Sequence, residues 1–370
     1  MTFDTQSPRP PQAVAYTASA SKQSKHSPQA GTARDLRADN RKPSIPAMPL
    51  HEHVFAAFTL GLLCGWAYVL IALYAWLSYK VLAHQDVVAG TVLATIISMG
   101  YWPADHTPWE SFLRSWVFRV WRKYFDWEMK ITVPLDPKRK YLFAEFPHGI
   151  FPMGSVLSAS VVQEFFPGQK ICGMGASVIY RGPVYRHFMS WIGTRPATKE
   201  NFKAAYEGDW HTVVLPGGIA EIYLVSRAEE RVYLRRRRGF VRVAVQNGAD
   251  LVPMFLFGNS RILDLVPLGG GADADANRLS RACRRARCAA ALFKGRQVTP
   301  PPGWRNGRFG LPIPYRQKIV LVSGKPIQVE QQDNPPQEYI DKLHAQFVAS
   351  LEALYREHRP GWEDRPLVVT

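Results

Sequence analysis

The chain has 370 residues, enough for one large catalytic domain or two modest ones. Hydrophobic residues make up 46% of it, so a sizeable core can form, and the net charge of +16 predicts an anionic partner. Nucleic acid, an anionic membrane surface and a phosphorylated cofactor all remain open. The four cysteines have no C-x-x-C spacing, so the sequence indicates neither a metal site nor a disulfide framework.

Residues 1–50 are rich in Pro, Ser, Ala and Gln and hold few large apolar side chains. Such a segment buries too little surface to offset the entropy of ordering it, so we expect a disordered basic tail. A transit peptide is the alternative because the segment is rich in serine and poor in acids, but it lacks a clean amphipathic stretch.

The first apolar run, Val54–Tyr79, contains no charged residue over 26 positions. As a helix it would be about 39 Å long, enough to cross a hydrocarbon core of roughly 30 Å with tilt. A buried helix of a soluble protein is the alternative, although such helices seldom stay uncharged for so long. Aromatic residues crowd the second half of the run, as at a membrane interface: Trp66, Tyr68, Tyr74, Trp76 and Tyr79.

A second apolar run, Val87–Trp102, follows a short polar break. It would be about 24 Å long as a helix, so it crosses only with help from its flanks or returns partway as a hairpin leg. Basic residues precede the first run and follow the second, which places both ends in the cytosol by the positive-inside rule. We therefore expect a membrane-embedded hairpin at 51–104 and a cytosolic-facing catalytic domain at 105–370.

The rest of the chain alternates between strand-like and helical patterns, which predicts an α/β fold with a mixed or parallel sheet flanked by helices. An amphipathic helix at Trp109–Trp127 would lie near the membrane surface. Strand-like runs lie at Lys140–Glu145, Thr212–Leu215, Leu251–Phe257 and Lys318–Val322. Helical stretches lie at Ser155–Phe166, Pro183–Ile192, Asn201–Tyr206, Gly239–Gln246 and Pro336–His358.

The first segment with chemical potential is Tyr141–Gly154, where a strand ends at the sequence Phe-Pro-His-Gly. Pro147 restricts the backbone there, and His148 stands at the carboxyl end of the strand, where open α/β sheets place their sites. Histidine suits a general base at neutral pH. A turn histidine held by packing is the alternative.

The second segment, Thr212–Glu221, runs from a strand into a glycine-rich turn. Gly217 and Gly218 would let a ligand approach the backbone, whose N–H groups could receive an oxyanion or a phosphate. Glu221 is the carboxylate that could orient a nearby histidine. An ordinary turn with a solvent-facing glutamate is the alternative.

A run of arginines opens the third segment. A phosphate there could meet both the guanidinium groups and a helix N-terminus, but coenzyme A, nucleic acid and anionic lipid would fit equally well. A second basic helix at 276–293 would lie on an anionic membrane or near coenzyme A, or simply face solvent. The members of the arginine segment are Arg235, Arg236, Arg237, Arg238, Gly239 and Phe240.

Other classes of protein are not supported by the sequence. No G-x-S-x-G nucleophile elbow occurs, and no Walker A sequence. No aromatic nucleic-acid-binding module is recognisable either, so we expect no nucleic-acid partner. A non-catalytic membrane tether that binds lipid through its arginines stays open as a different class of function.

The three segments, in this order, resemble the type-2 diacylglycerol acyltransferase family, which includes monoacylglycerol acyltransferases and some wax synthases. The resemblance runs from the predicted hairpin to roughly residue 360. Its most specific part is Arg238–Pro253, which contains Asn247. Further agreement comes from Gly307–Pro314, Val322–Ile327 and Tyr339–His344.

The resemblance implies a glycerolipid-acyltransferase-like fold and transfer of an acyl group from acyl-CoA, a co-substrate, to diacylglycerol, with no other cofactor. Monoacylglycerol and a fatty alcohol are the alternative acceptors. It implies His148 as the base, Glu221 as its partner, the backbone at Gly149, Gly217 or Gly218 as the oxyanion site, and the arginines as ligands of coenzyme A. It also implies the endoplasmic reticulum membrane or lipid droplets, and is compatible with a homo-oligomer.

One departure concerns the family's signature tetrapeptide, His-Pro-His-Gly, or Glu-Pro-His-Gly in plant members. Here the first position is Phe146, which leaves His148 as the one histidine of the motif, with Glu145 and Glu221 as candidate partners. The H-x-x-x-x-D motif of glycerolipid acyltransferases is also incomplete, because its last position is Met153. Any carboxylate paired with the imidazole must therefore come from elsewhere.

Overall fold

The computed structural model describes residues 45–266, 292–298 and 309–370. Most of the predicted tail at 1–50 and of the predicted basic helix at 276–293 lies outside these ranges, as does the start of Gly307–Pro314. The helices are α1 (Leu50–Cys64), α2 (Trp66–His84), α3 (Val87–Ser98), α4 (Glu110–Leu113), α5 (Trp116–Tyr124), α6 (Met153–Ser158), α7 (Val162–Phe165), α8 (Tyr185–Trp191), α9 (Lys199–Glu207), α10 (Ile219–Ile222), α11 (Gly239–Asn247) and α12 (Gln337–His358).

Seven of the strands form one sheet: β1 (Glu128–Ile131), β2 (Lys140–Phe146), β3 (Lys170–Gly175), β4 (Thr194–Pro196), β5 (Trp210–Val214), β7 (Ala249–Phe257) and β12 (Val320–Ser323). Three two-stranded pairs use β6 (Glu230–Val232) with β13 (Leu367–Val369), β8 (Asp264–Val266) with β9 (Leu292–Lys294), and β10 (Gln297–Val298) with β11 (Phe309–Gly310).

The large sheet has the order β1-β12-β7-β2-β5-β3-β4. The strands from β7 to β4 are parallel neighbours, whereas β12 runs antiparallel to β7 and parallel to β1. The predicted mixed sheet is therefore confirmed. Parallel strands joined through helices bring their carboxyl ends to one edge, where the sites of α/β proteins lie.

The core has two layers because side chains of a strand alternate between the faces of the sheet. On one face, Tyr141 and Phe143 of β2 pack with apolar residues of α5, α6 and α8. On the other, Leu142 and Phe146 pack with residues of α9, α11 and α12. These layers are called the α6 face and the α12 face below.

The predicted elements agree with the structure where the apolar pattern is long. The strands predicted at 140–145, 212–215, 251–257 and 318–322 correspond to β2, β5, β7 and β12. The strands β1, β3 and β4 were not predicted, because they are short or contain glycine or proline. The helix predicted at Trp109–Trp127 divides into α4 and α5.

The first apolar run is not the continuous membrane helix that its lack of charge predicted. It divides at Gly65, where a Cβ atom would lie 2.5 Å from Cγ of Pro312, so glycine permits this close approach. On α1, Ala56 and Leu60 are fully buried, and Thr59 Oγ1 accepts a hydrogen bond from Trp121 Nε1 of α5 at 2.9 Å. The first half of the run therefore packs on the α/β unit, although it falls in the range predicted as hairpin.

The helix α2 is apolar and long enough to cross a membrane, and Leu77 is its one buried residue. It packs against α3, which is shorter. The turn between them is well defined, because Gln85 adopts a left-handed conformation and Asp86 caps α3 by accepting the N–H of Ala89 at 3.1 Å. Side chains such as Ile71 and Leu82 are strongly exposed on this pair.

The packing of α1 can be tested with two leucines on the same helix. Leu60→Ala removes a fully buried side chain and should destabilise the protein by about 2–5 kcal/mol. Leu62→Ala, at a position that is 43% exposed, is the matched control and should cost much less. Thermal unfolding in detergent measures both, and equal effects would contradict the assignment of α1 to the core.

Candidate active site

Three neighbouring parallel strands end at the same place on the sheet. The chain leaves β2 into the His148 loop, β5 into the turn that carries Glu221, and β7 into a short 3-10 helix that begins at Asn259. Because β2 lies between β5 and β7, the sheet brings together three residues that are far apart in sequence. This convergence is the candidate active site.

The imidazole of His148 is half-buried, and its Nδ1 lies 2.9 Å from the carbonyl oxygen of Gly149. A carbonyl only accepts hydrogen bonds, so this contact places the ring proton on Nδ1 and leaves Nε2 with a free lone pair. Burial lowers the pKa of His148 below its usual 6.5, and the hydrogen bond to Gly149 opposes that shift. The ring is therefore neutral at pH 7 and can accept a proton.

Glu221 was predicted to contact the imidazole of His148, but in the structure its carboxyl group binds backbone N–H groups instead. Its Oε2 accepts the backbone N–H of His148 at 2.6 Å, and its Oε1 accepts the backbone N–H of Tyr233 at 2.7 Å. The side chain is 1% exposed, and burial raises its pKa to about 8, against the effect of the two hydrogen bonds. Glu221 thus positions the backbone of His148. The sharp turn after β5 directs the Glu221 side chain at this backbone and not at the imidazole ring.

The glycines of the site allow these close contacts. Gly149 has φ +64°, and a Cβ there would lie 2.9 Å from Nδ2 of Asn259. At Gly217 a Cβ would lie 2.0 Å from the carboxyl carbon of Glu221, so a larger residue would displace the carboxylate. Gly218 also has positive φ, at +54°. These requirements explain the glycines; an oxyanion role for their N–H groups stays a prediction.

Asn259 was not singled out in the sequence, yet it holds the His148 loop through three hydrogen bonds. Its Nδ2 donates to the carbonyl oxygens of His148 at 3.0 Å and Phe151 at 3.3 Å, and its Oδ1 accepts the N–H of Gly154 at 3.0 Å. The side chain is fully buried. The signal that could have revealed it is an amide residue that follows the apolar strand β7 after a single glycine, Gly258.

A buried ion network supports the segment that carries Asn259. Arg365 pairs with Glu230 and Glu363, and all three side chains are about 2% exposed. Ser260, next to Asn259, donates its hydroxyl to Glu230 at 2.7 Å, and Arg261 pairs with Glu363 at 2.8 Å. Removing one partner of such a network leaves an uncompensated buried charge, so loss of any of these contacts would destabilise the segment.

The predicted arginine segment lies beside the site but is only partly available to a ligand. Arg237 reaches the turn, with Nη2 donating to the carbonyl of Gly217 at 3.2 Å. Arg235 donates to the carbonyl of Val369 at 2.9 Å, and Arg238 pairs with Asp341. Arg236 and Gly239 are exposed at the start of α11.

Phe240 was predicted to contact acyl-CoA, and the structure corrects this. The side chain is 8% exposed and packs on the α12 face, with its ring centroid 4.9 Å from that of Phe347. It lies at the second position of α11, on the side of the helix that Val241, Ala244 and Val245 also bury in this layer. It is a core residue.

The three remaining residues of the predicted motifs, Pro147, Pro253 and Asn247, make contacts that support the fold. Pro147 is buried directly before His148, and Pro253 is buried within β7 opposite Ala144 of β2. Asn247 ends α11 and donates Nδ2 to the carbonyl of Val243 at 2.8 Å, within its own helix.

Glu145 was the other candidate partner of His148, but in the structure its side chain contacts α6 instead. It is 1% exposed on the α6 face of β2 and hydrogen bonds with the hydroxyl of Ser155 on α6. Burial raises its pKa to about 7. Successive strand residues point to opposite faces, so a carboxyl three residues before His148 points into the layer under α6.

No group of three or more His, Cys, Asp or Glu side chains in the described part of the chain could hold a metal ion.

Comparison with known families shows to which family the chain belongs. The sequence model of the family described as diacylglycerol acyltransferase matches residues 91–369. The chain belongs to this family. The predicted family resemblance is therefore confirmed, and the predicted acyltransferase class agrees with it.

Individual relatives are similar over most of their length. Diacylglycerol O-acyltransferase 2 of Dictyostelium discoideum is 30% identical over 257 residues, which cover 68% of this chain and 76% of that protein. The 2-acylglycerol O-acyltransferase 1 of Bos taurus is 30% identical over 257 residues, covering 67% and 74%. Among solved structures, the 1-acyl-sn-glycerophosphate acyltransferase of Thermotoga maritima has a TM-score of 0.32 and 10% identity, covering 76% of this chain and 97% of that one.

The departure at the family's tetrapeptide has a simple structural basis. Phe146 is fully buried on the α12 face, with its ring centroid 6.1 Å from that of Phe347. Its side chain lies in the core and not beside the imidazole of His148. An apolar residue is therefore compatible with the site.

Substitution of Asn259 tests how the His148 loop is held in place. Asn259→Asp keeps the shape but removes both N–H donors, so two buried carbonyls lose their partner, and we expect a loss of about 1–3 kcal/mol of stability. Asn247→Asp, which affects one hydrogen bond within a single helix, is the matched control and should cost at most about 1 kcal/mol. Chemical denaturation compares them, and a smaller effect at Asn259 would contradict this assignment.

Proposed function

We propose that the protein transfers the acyl group of acyl-CoA directly to the free hydroxyl of diacylglycerol and forms triacylglycerol. Membership of the family supports the reaction class, and the neutral, half-exposed imidazole of His148 at the convergence of three strand ends supports the mechanism. Of these observations, the tautomer that the Gly149 carbonyl imposes carries the proposal, because it leaves Nε2 free to act as a base.

In the proposed reaction, Nε2 of His148 takes the proton of the acceptor hydroxyl as its oxygen attacks the thioester carbonyl. A new C–O bond forms, and the tetrahedral intermediate collapses with cleavage of the C–S bond. The imidazolium returns the proton to the coenzyme A thiolate. Backbone N–H groups near Gly149 or at Gly217 and Gly218 are the proposed donors to the oxyanion.

Glu221 acts in this proposal through the backbone. By accepting the N–H of His148 it holds the loop in the conformation in which Gly149 can fix the tautomer. This replaces the contact with the imidazole expected from the sequence, and it makes Glu221 a positioning residue. The carbonyl of Gly149 takes the part that a carboxylate plays in catalytic triads.

The phosphates of coenzyme A are proposed to bind at the arginine segment. Arg236 and Gly239 are exposed at the N-terminus of α11, where backbone N–H groups and guanidinium groups can meet a phosphate together. Arg237 links this surface to the site through Gly217. Arg235 and Arg238 are exposed as well, and because their present contacts use only some of the five guanidinium donors they can join this surface.

Monoacylglycerol is the second candidate acceptor, supported by the similarity to 2-acylglycerol O-acyltransferase 1. A fatty alcohol, which would give a wax ester, is the third. A non-catalytic lipid-binding protein is the alternative of a different class, and it would not need a buried network to hold one imidazole.

The pair of helices α2 and α3 is proposed to be the membrane hairpin. Their exposed apolar side chains and the capped turn at Asp86 support an insertion from one side, with both termini cytosolic. We place the protein in the endoplasmic reticulum membrane or on lipid droplets, in line with the family resemblance. The hairpin would hold the site where acyl chains and acylglycerols partition.

The catalytic proposal is tested in cells that lack neutral-lipid synthesis. The unmodified protein should cause triacylglycerol to accumulate, and His148→Ala should lower acyl transfer by about 10²–10⁴-fold, because a positioned base is lost. His344→Ala is the control: His344 is buried on α12, with Nε2 2.9 Å from the carbonyl of Leu234. Lipid analysis and protein level are measured together.

Activity that survives His148→Ala would refute the mechanism. Accumulation of wax esters alone would refute the acylglycerol acceptor.

The hairpin is tested by alkaline carbonate extraction. The full chain should remain in the membrane pellet, whereas the double variant Val69→Lys and Ile71→Lys, at exposed positions of α2, should be released to a large extent. Glu357→Lys, on the exposed end of α12, is the control. Release of the unmodified chain would contradict the hairpin.

A further inference from the structure

A cavity of about 310 Å³ lies on the α6 face of the sheet. It reaches the active site region at Pro152, in the loop after His148, and at Leu215, just before the glycine turn. His148 is not one of its lining residues. The walls are mainly apolar and come from several elements: Leu113, Val156, Ile171, Met189, Ile192 and Val213.

Two partly exposed tryptophans lie beside the cavity. Pro108 and Ile192 line the cavity, and each is next in sequence to one of them, Trp109 at 49% and Trp191 at 41% exposure. The two indole rings form an edge contact with centroids 5.4 Å apart. Tryptophan is favoured where an apolar surface meets water, so this pair is compatible with a lipid surface beside the cavity.

Several polar side chains interrupt the apolar wall, including the charged Glu110 and Lys170, and one of them, Ser155, belongs to a buried pair. Ser155 lines the cavity, and its hydroxyl donates to Glu145, which lies behind it with 1% exposure. In the part of the chain that the structure describes, no cationic side chain pairs with this carboxyl. The hydroxyl of a serine has one hydrogen and two lone pairs, so Ser155 can still accept a hydrogen bond from a ligand.

Three other polar side chains of the cavity wall have hydrogen-bond partners of a different kind. Ser158 donates to the carbonyl of Ser155 at 2.8 Å, and Thr194 donates to the carbonyl of Met189 at 2.7 Å. Gln169 Oε1 contacts His211 at 2.7 Å. Ser155 thus differs in having a buried carboxyl that fixes the direction of its hydroxyl.

The location of the cavity separates it from the proposed coenzyme A surface. The arginine segment precedes α11, which packs on the α12 face, whereas the cavity belongs to the α6 face. A donor with an anionic head and an apolar acceptor would therefore approach from different faces of the sheet. The cavity is the better place for the acceptor, since its walls are mainly apolar and the arginine segment belongs to the other face.

We propose that this cavity binds the acylglycerol acceptor and that Ser155, held by Glu145, accepts a hydrogen bond from a free glycerol hydroxyl of that lipid. The proposal rests on the acyltransferase function proposed above. While one hydroxyl attacks the thioester, monoacylglycerol keeps a second hydroxyl for Ser155, and diacylglycerol keeps none. The pair therefore favours monoacylglycerol as an additional acceptor.

Steady-state kinetics of the full chain in lipid nanodiscs test this. Ser155→Ala should raise KM for monoacylglycerol about 3- to 10-fold, the effect of one hydrogen bond, with a smaller change for diacylglycerol and none for acyl-CoA. Alanine is a good helix former, so α6 should persist, and Ser155→Thr should restore the affinity. Ser160→Ala is the control, because its hydroxyl donates to the carbonyl of Leu157 at 2.7 Å and the residue does not line the cavity.

The outcomes separate this proposal from the proposed function. An unchanged KM for monoacylglycerol, or an equal rise for both acylglycerols, would overturn it while leaving the acyl transfer standing. A rise in KM for acyl-CoA would assign the cavity to the acyl donor instead. Turnover of diacylglycerol without any turnover of monoacylglycerol would also overturn it, and absence of all acyl transfer would overturn both proposals.

Discussion

The carboxyl group of Glu221, which is 1% exposed, accepts two backbone N–H groups, from His148 and Tyr233. A buried carboxyl is costly unless its hydrogen-bonding capacity is used, so this arrangement is tolerated only because both oxygens have partners. The geometry of the His148 loop depends on it. Gly217 must lack a side chain for the carboxylate to fit, and Tyr233 must follow β6 closely, which ties β6 and its partner β13 to the site.

Asn259 completes this constraint from the opposite side of β2. Glu221 accepts a hydrogen bond from the backbone N–H of His148, and Asn259 donates one to the backbone carbonyl of His148. Both polar groups of the His148 backbone are therefore held by side chains from the segments that follow the two flanking strands, β5 and β7. The Arg365 network then holds the segment of Asn259. Rigid support of this kind is what a positioned base requires, since small displacements of a reacting group reduce the rate strongly.

The two faces of the sheet carry different chemistry around this edge. On the α12 face, arginines precede the start of α11, and the α6 face contains a mainly apolar cavity with two exposed tryptophans beside it. An acyl-CoA and an uncharged acylglycerol differ in the same way, one with an anionic head and one without. The proposed hairpin of α2 and α3 would bring the apolar entrance close to its lipids.

The sequence by itself determined the strands with long apolar runs and the α/β class, because local periodicity is sufficient for these, and its motif singled out His148 as the proposed base. It also showed the family, through segments such as Arg238–Pro253. Only the tertiary structure decided which groups meet. Glu221 binds a backbone N–H and not the ring, Glu145 binds Ser155, Phe240 lies in the core, and Asn259 joins the site, since each of these contacts depends on strand order and on the direction of a side chain. The division of the first apolar run at Gly65 has the same cause: hydropathy does not distinguish a surface that faces lipid from one that packs on protein.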